Sequence, residues 1–194
     1  MILALRVVVL AWLVAACATP PTHPVQPTAE LPGTWLAQGR LAVTADEEAW
    51  HGTFAWHQAP AQVLIEMAGP LGQGSVRLRE DHTGALLEVG ADQVFHGRDT
   101  EALLREQLGW SLPVRGLRYW ITGRPDPDRP AIVRRDEAGR VISLEQDGWD
   151  VACTRYLDVG AGVLPHRLVL EREALRIRLV IDRWQPGPLA REGS

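Results

Sequence analysis

A strict alternation of apolar and polar residues near the end of the chain restricts the fold more than any other feature. The odd positions from 175 to 181 hold leucine or isoleucine, and three of the four positions that follow them hold charged residues. A period of two places the apolar residues on one face of a β-strand and the charged residues on the other. We therefore expect an antiparallel strand with one face in a core and the other in water.

Weaker runs with the same period occur through most of the chain. Trp50, Gly52, Phe54 and Trp56 share one face of a predicted strand, and turn signals such as Asp147-Gly148 separate neighbouring runs. The pattern predicts a mainly β fold of about 10 or 11 antiparallel strands. So many strands tend to curl, and we expect an open, incomplete β-barrel.

The alternation stops between residues 99 and 123, where the sequence predicts helices. Asp99 or Thr100 can cap a first helix and Gly109 can end it, while Pro113 suits the first turn of a second helix. This insert follows the fifth or sixth predicted strand. We expect two or three short helices that lie as a lid over the opening of the barrel.

Tryptophan is frequent, with eight residues in the chain. Each indole buries a large apolar area and carries one N–H donor that needs a partner. Ordinary core packing is one explanation. The other is a wide apolar cavity whose walls need large, stiff side chains.

The N-terminus has the pattern of a bacterial lipoprotein signal. An apolar run over residues 7–13 leads into Val14-Ala15-Ala16-Cys17, which supplies small residues for a signal peptidase and a thiol for acylation. The apolar stretch is too short to span a bilayer comfortably. We expect residues 1–16 to be removed and Cys17 to carry lipid. The alternative is an ordinary secretory signal in which the cysteine occurs by chance.

The next segment, residues 18–34, contains five prolines and no apolar period. At ~3 Å per residue in an extended state it could reach roughly 45–50 Å. The predicted organisation is a signal peptide over 1–16, an acylated N-terminus and tether over 17–34, a β-barrel domain over 35–186 and a tail over 187–194.

Composition and motifs exclude several classes of function. The formal charge of −4 and the lack of a basic run argue against a nucleic-acid partner. No Gly-x-Ser-x-Gly motif occurs, and the six histidines lack the spacing of metal ligands. We expect no enzyme activity, metal or cofactor. With Cys17 acylated, Cys153 would be an unpaired, buried apolar residue.

The segment Gly69-Pro70-Leu71-Gly72 interrupts two predicted strands, and glycines and a proline surround its one leucine. Such a segment is long for a tight hairpin. Leu71 either packs back over the end of the core or projects into solvent. A projecting leucine on a lipid-tethered protein could enter a membrane and gain about 1–3 kcal/mol from its buried apolar area.

An ordered set of short motifs gives the chain its resemblance to a known family. The motifs are the Cys17 signal, Phe54-Ala55-Trp56, Gly69-Pro70-Leu71-Gly72, Leu108-Gly109-Trp110, Leu112-Pro113, Tyr119-Trp120-Ile121-Thr122-Gly123, Pro125, Gln146-Asp147-Gly148-Trp149, Leu164-Pro165 and Ile181-Asp182-Arg183-Trp184. In this order the sequence resembles the LolB family of outer-membrane lipoprotein receptors. The resemblance covers the chain from residue 17 to residue 184.

The resemblance implies a fold, a function and partners. The fold would be an open β-barrel with a helical lid over an apolar cavity. The protein would be a monomer held at the periplasmic face of the outer membrane through acylated Cys17. It would accept acylated lipoproteins from the periplasmic carrier LolA and insert them into the inner leaflet.

The resemblance also implies roles for individual residues. Leu71 corresponds to the family's protruding leucine, so Gly69, Pro70, Leu71 and Gly72 would form a membrane-insertion loop. The acyl-chain cavity would include Trp50, Phe54, Trp56, Trp120, Trp149 and Trp184.

Two other functions fit the residues without the resemblance. One is a lipid-tethered β-scaffold in an envelope assembly, and the other is a carrier of a different lipid.

Overall fold

The computed structural model describes residues 28–46, 48–72, 74–160 and 162–187. The signal, Cys17, the first part of the tether and residues 188–194 of the predicted tail lie outside these ranges. The described strands are β1 (Trp35–Ala45), β2 (Glu48–Ala59), β3 (Gln62–Ala68), β4 (Val76–Asp81), β5 (Gly84–Val89), β6 (Gln93–Gly97), β7 (Ile132–Arg135), β8 (Val141–Gln146), β9 (Trp149–Asp158), β10 (Val163–Arg172) and β11 (Leu175–Pro186). The helices are α1 (Thr100–Leu108) and α2 (Val114–Trp120), and Pro70–Gly72 forms one 3₁₀ turn.

All eleven strands belong to one antiparallel sheet in the order β6-β5-β4-β3-β2-β1-β11-β10-β9-β8-β7. Strands β1 to β6 form one meander and β7 to β11 form a second. The first strand and the last strand join the two meanders, with Leu41 opposite Leu179 in the register. In the described sheet, β6 and β7 are edge strands that do not pair with each other, so the barrel is open. The predicted fold class is therefore confirmed.

The alternation in sequence becomes the inner and outer face of the sheet. On β11, Ile177, Leu179 and Ile181 are at most 3% exposed, whereas Arg176 and Arg178 are exposed. The hairpin before β9 turns at Asp147 and Gly148, whose φ angles are 52° and 76°. Asparagine, aspartate and glycine tolerate this left-handed conformation, and paired residues of this kind match the twist of antiparallel strands.

The two α-helices lie between β6 and β7 in the chain, as the sequence predicted. Asp99 caps α1, because its side chain accepts a hydrogen bond of 3.0 Å from the backbone N–H of Ala102. Gly109 ends α1 in the left-handed conformation, with a φ of 78°. The second helix begins directly after Pro113. These helices connect the two edge strands of the open sheet.

A segment before β1 is fixed to the sheet. The backbone N–H of Ala29 donates to the carbonyl of Val163 at 2.9 Å, and Thr28 forms a parallel bridge with the same residue. The side chain of Ala29 is buried. The end of the predicted tether therefore contacts the β-domain before β1 begins.

Candidate functional site

The inner face of the sheet and the helices form one apolar interior. Trp56 on β2, Ile65 on β3 and Leu78 on β4 are at most 1% exposed. Leu104 on α1 and Leu117 on α2 are buried in the same cluster. Hydrocarbon is favoured over water in such surroundings. Apolar side chains of both helices therefore pack in the same core as the inner face of the sheet.

Seven tryptophans lie in the described residues, and their ring contacts divide them into three groups. In the first group, Trp35 stacks on Trp56 at 6.1 Å and meets Trp184 edge-on at 5.4 Å. The indole of Trp56 donates to Gln58 at 3.3 Å, and that of Trp184 donates to the carbonyl of Pro165 at 3.2 Å. These indole donors are therefore satisfied inside the domain.

The second group joins α2 to the far meander. Trp120 lies 6.4 Å from Trp149, measured between ring centroids. The Trp120 indole donates to Oε1 of Gln146 at 2.7 Å. The guanidinium of Arg172 lies 4.4 Å above the centre of the Trp149 ring, which is the geometry of a cation–π contact.

The third group lies at the connector between the helices. Trp50 on β2 and Trp110, which follows α1, have ring centroids 6.2 Å apart. Both rings are half-buried. This pair joins the beginning of β2 to the segment between α1 and α2.

The predicted cavity residues therefore do not form one wall in this structure. These residues are Trp50, Phe54, Trp56, Trp120, Trp149 and Trp184. Trp56 and Trp184 both contact the ring of Trp35. Trp120 contacts Trp149, and Trp50 contacts Trp110 in a separate group. All except Trp50 are buried. Their role in an acyl-chain cavity stays a prediction.

The predicted membrane-insertion loop extends from the end of β3 to the start of β4. The backbone N–H of Gly72 donates to the carbonyl of Gly69 at 3.1 Å, which closes the 3₁₀ turn. Pro70 and Gly72 are exposed, and a Cβ added at Gly72 would meet nothing within 4 Å. The side chain of Leu71 lies outside the described part of the structure. The residues on either side of Leu71 are thus exposed, whereas Gly69 at the start of the turn is buried. The role of the loop stays a prediction.

Two grooves lie on the outer face of the sheet. One, of about 790 Å³, is bordered by the ion pairs Arg40–Asp182 and Glu66–Arg77. The other, of about 700 Å³, lies beside the predicted insertion loop. Its lining includes Ala42, Gly52 and Ala68 of three neighbouring strands and Gly69 and Pro70 of the loop.

Two polar residues beneath the helices were not singled out as site residues by the sequence. Gln146 on β8 is 3% exposed and binds both Trp120 and the backbone after α2. Glu80 on β4 accepts hydrogen bonds from residues of both helices. The sequence could have identified Glu80 because it lies two residues after Leu78 and therefore on the inner face of β4. Carboxylates are rare at such positions unless they are paired.

Cys153 on β9 is buried, as the sequence predicted. Burial raises the pKa of its thiol to about 12. A thiolate is the reactive form of cysteine, so burial makes this residue inert at neutral pH. Within the described ranges, no three His, Cys, Asp or Glu side chains are placed to hold a metal ion together. The described helices are likewise too short or too polar to cross a membrane.

Comparison with known proteins gives a consistent result. The profile of the family described as "Outer membrane lipoprotein LolB" matches residues 33–184. The outer-membrane lipoprotein LolB of Thiobacillus denitrificans is 40% identical over 181 residues, which cover 92% of this chain and 95% of that protein. The protein of the same name from Nitrosococcus oceani is 42% identical over 79% of this chain and 77% of its own length.

A solved structure agrees on the fold. A LolA superfamily protein from Nitrosomonas europaea matches with a TM-score of 0.52 and 8% identity, covering 86% of this chain and 92% of that chain. At this identity the likeness concerns the fold alone. The family profile and the curated relatives, by contrast, follow the sequence over most of its length. The chain belongs to the LolB family of outer-membrane lipoproteins.

Proposed function

We propose that this protein is the outer-membrane receptor for acylated lipoproteins: it accepts them from a LolA-like periplasmic carrier and releases them into the inner leaflet of the outer membrane. The observation that carries the proposal is the combination of family and architecture. A LolB-family chain has an open sheet whose apolar inner face is covered by two short helices. In the proposal it acts as a monomer.

The physical need for such a receptor comes from the acyl chains of the cargo. Each methylene buried in an apolar environment is favourable by about 0.8 kcal/mol, so acyl chains do not cross water unaided. The inner face of the sheet can replace the membrane if the helices make room. In the proposal, the cavity residues then contact the acyl chains, namely Trp50, Phe54, Trp56, Trp120, Trp149 and Trp184.

Transfer without an energy source requires an order of affinities. The receptor must bind the cargo more tightly than the carrier does, and the membrane must accept it from the receptor at a further gain in free energy. An interior that binds acyl chains mainly through apolar contacts suits this intermediate affinity, because such contacts are non-directional. No bond is made or broken in such a transfer, and the proposal therefore includes no catalytic residue, metal or cofactor.

Two segments place the receptor at the membrane in this proposal. Acylated Cys17 anchors the chain after removal of residues 1–16, and the rest of 17–34 links the anchor to the domain over 35–186. Residues 187–194 form a tail. The loop Gly69-Pro70-Leu71-Gly72 enters the leaflet through Leu71. The exposure of Pro70 and Gly72 supports this role, because the turn presents its backbone to solvent.

Transfer of a labelled triacylated lipoprotein from a loaded carrier to liposomes tests the proposal. The wild-type protein should remove the cargo from the carrier and deliver it to the vesicles. Leu71→Glu should accept cargo normally but release it about tenfold more slowly or worse. The variant loses the about 1–3 kcal/mol that insertion of the leucine contributes, and a carboxylate is disfavoured in the membrane.

Ile132→Glu is the matched control, since Ile132 is 65% exposed on β7, away from the loop. This variant should transfer cargo at the wild-type rate. Normal delivery by Leu71→Glu would remove the loop from the mechanism. Cargo that stays on the carrier in the presence of the wild-type receptor would refute the receptor function itself.

The filled interior supports a second candidate, a lipid-tethered β-scaffold in an envelope assembly. Large side chains such as Trp56, Trp120 and Leu104 are buried in one apolar cluster, as in an ordinary core. A scaffold has no need to open. Competition between a fluorescent fatty acid and lipoprotein cargo separates the two candidates, because a scaffold should bind neither of them.

A further inference from the structure

A carboxylate lies in a row of core residues on β4. Val76 and Leu78 point to the inner face and are buried, and the same alternation directs Glu80 inward. Its neighbours across the sheet are Val63 on β3 and Ala85 on β5, which are 1% and 5% exposed. A charged group in such a position must be paired or hydrogen-bonded, because desolvation penalises an unpaired carboxylate.

Both helices supply the partners that Glu80 needs. Oε2 of Glu80 accepts a hydrogen bond of 2.6 Å from the hydroxyl of Thr100, the first residue of α1. Oε1 accepts a hydrogen bond of 2.9 Å from Nη2 of Arg118 on α2, which also makes this contact an ion pair. One side chain of the sheet thus connects to each helix through a separate oxygen.

The two contacts differ in strength and exposure. The Arg118 contact joins two charged groups, and such hydrogen bonds are roughly twice as strong as neutral ones. The side chains of Arg118 and Glu80 are 28% and 24% exposed. Water therefore reaches the pair and can replace the contact when it breaks. Thr100, by contrast, is buried.

The surroundings of Nε of Arg118 support a positioning role for this contact in addition to core packing. This buried atom lacks a hydrogen-bond partner in the described structure. The hydrogen bond that the described structure shows for this guanidinium is the one from Nη2 to Glu80. Once Glu80 is lost, α2 keeps its apolar packing and the contact of Trp120 with Gln146, but it loses its hydrogen bond to β4.

We propose that Glu80 is a positioning residue that holds α1 and α2 over the apolar interior and thereby limits access to it. The proposal rests on the receptor function, since it assigns the helices the part of a gate for acyl chains. Releasing Glu80 frees both helices from β4 at once. The apolar residues beneath them, such as Leu104 and Leu117, then move away from the inner face and expose it to a ligand.

Glu80→Gln tests the proposal, because it keeps the shape of the side chain and removes its charge. Hydrogen exchange should become about tenfold faster or more in α1 and α2, which matches the loss of one charge-assisted hydrogen bond, while β1 and β11 keep their protection. A fluorescent fatty acid should enter the protein faster by a similar factor. Thr100→Val should speed exchange in α1 more than in α2.

Glu66→Gln is the matched control. Glu66 also pairs with an arginine of the neighbouring strand, at 2.8 Å, but it lies on the outer face of the sheet. This variant should leave exchange in the helices and entry of the fatty acid unchanged. The comparison separates the loss of any surface ion pair from the loss of the contact that holds the helices.

The outcomes divide clearly. Unchanged exchange in the helices of Glu80→Gln, or an equal increase throughout the sheet, would overturn the proposal. Faster exchange in the helices with fatty-acid entry at the wild-type rate would also overturn it. Failure of the receptor function is seen separately, as cargo that stays on the carrier in the presence of the wild-type protein, and hydrogen exchange requires no cargo.

Discussion

Gln146→Leu is expected to destabilise the fold, since Gln146 connects three parts of the structure. Oε1 accepts from the indole N–H of Trp120 at 2.7 Å and from the backbone N–H of Asp126 at 2.9 Å. Nε2 donates to the carbonyls of Asp126 and Arg129, both at 3.0 Å. Because the side chain is 3% exposed, water cannot replace all of these bonds in the variant without a rearrangement.

The expected loss follows from the donors left unpaired. The N–H groups of Trp120 and Asp126 are both buried contacts of Gln146, and each unsatisfied buried donor costs about 1–3 kcal/mol. Burial of the leucine returns about 1–2 kcal/mol. We expect the free energy of unfolding to fall by about 1–4 kcal/mol, a large fraction of the stability of a typical domain.

Urea unfolding measured by tryptophan fluorescence and circular dichroism checks this value. The midpoint should fall by about 0.5–2 M with little change in the slope. Gln58→Leu is the comparison, since Gln58 accepts one bond from an indole, that of Trp56. The free energy of unfolding of Gln58→Leu should fall by about half as much as that of Gln146→Leu. A midpoint for Gln146→Leu within about 0.3 M of the wild type would refute the reasoning.

Two further predictions concern titratable groups. Cys153 should resist a thiol reagent in the folded protein at neutral pH and react in urea, because burial raises its pKa to about 12; rapid labelling of the folded protein would contradict this. Burial also raises the pKa of Glu101 on α1. Its contribution to stability is therefore lost as the pH rises through the ordinary glutamate range up to the folded pKa. Glu101→Gln should raise the urea midpoint at pH 7 relative to the wild type and not at acid pH, and an equal effect at both would refute the assignment.

The sequence also predicted several local features that depend on a few neighbouring residues. Asp99 and Gly109 mark the ends of α1, and Asp147-Gly148 marks a hairpin. Each follows from the conformations and hydrogen bonds that these residue types favour locally. The family resemblance could be stated from the sequence because its motifs occur in order along the whole domain. The family profile, which matches residues 33–184, confirms it.

Other features depended on contacts between distant parts of the chain. The pairing of β1 with β11 joins two meanders, and no local pattern names that partner. Local sequence patterns likewise did not predict the grouping of Trp56 with Trp184 or of Trp50 with Trp110. Glu80 gave only a weak signal, because its partners lie 20 and 38 residues away.

By itself, the sequence determined which residues form strands, which face of each strand is apolar and where the helices interrupt them. Only the tertiary structure decided which strands are neighbours, which indoles meet and how the helices are held to the sheet. The reason is physical: a period of two fixes the direction of each side chain along one strand. The choice of partner depends on the packing of the whole interior.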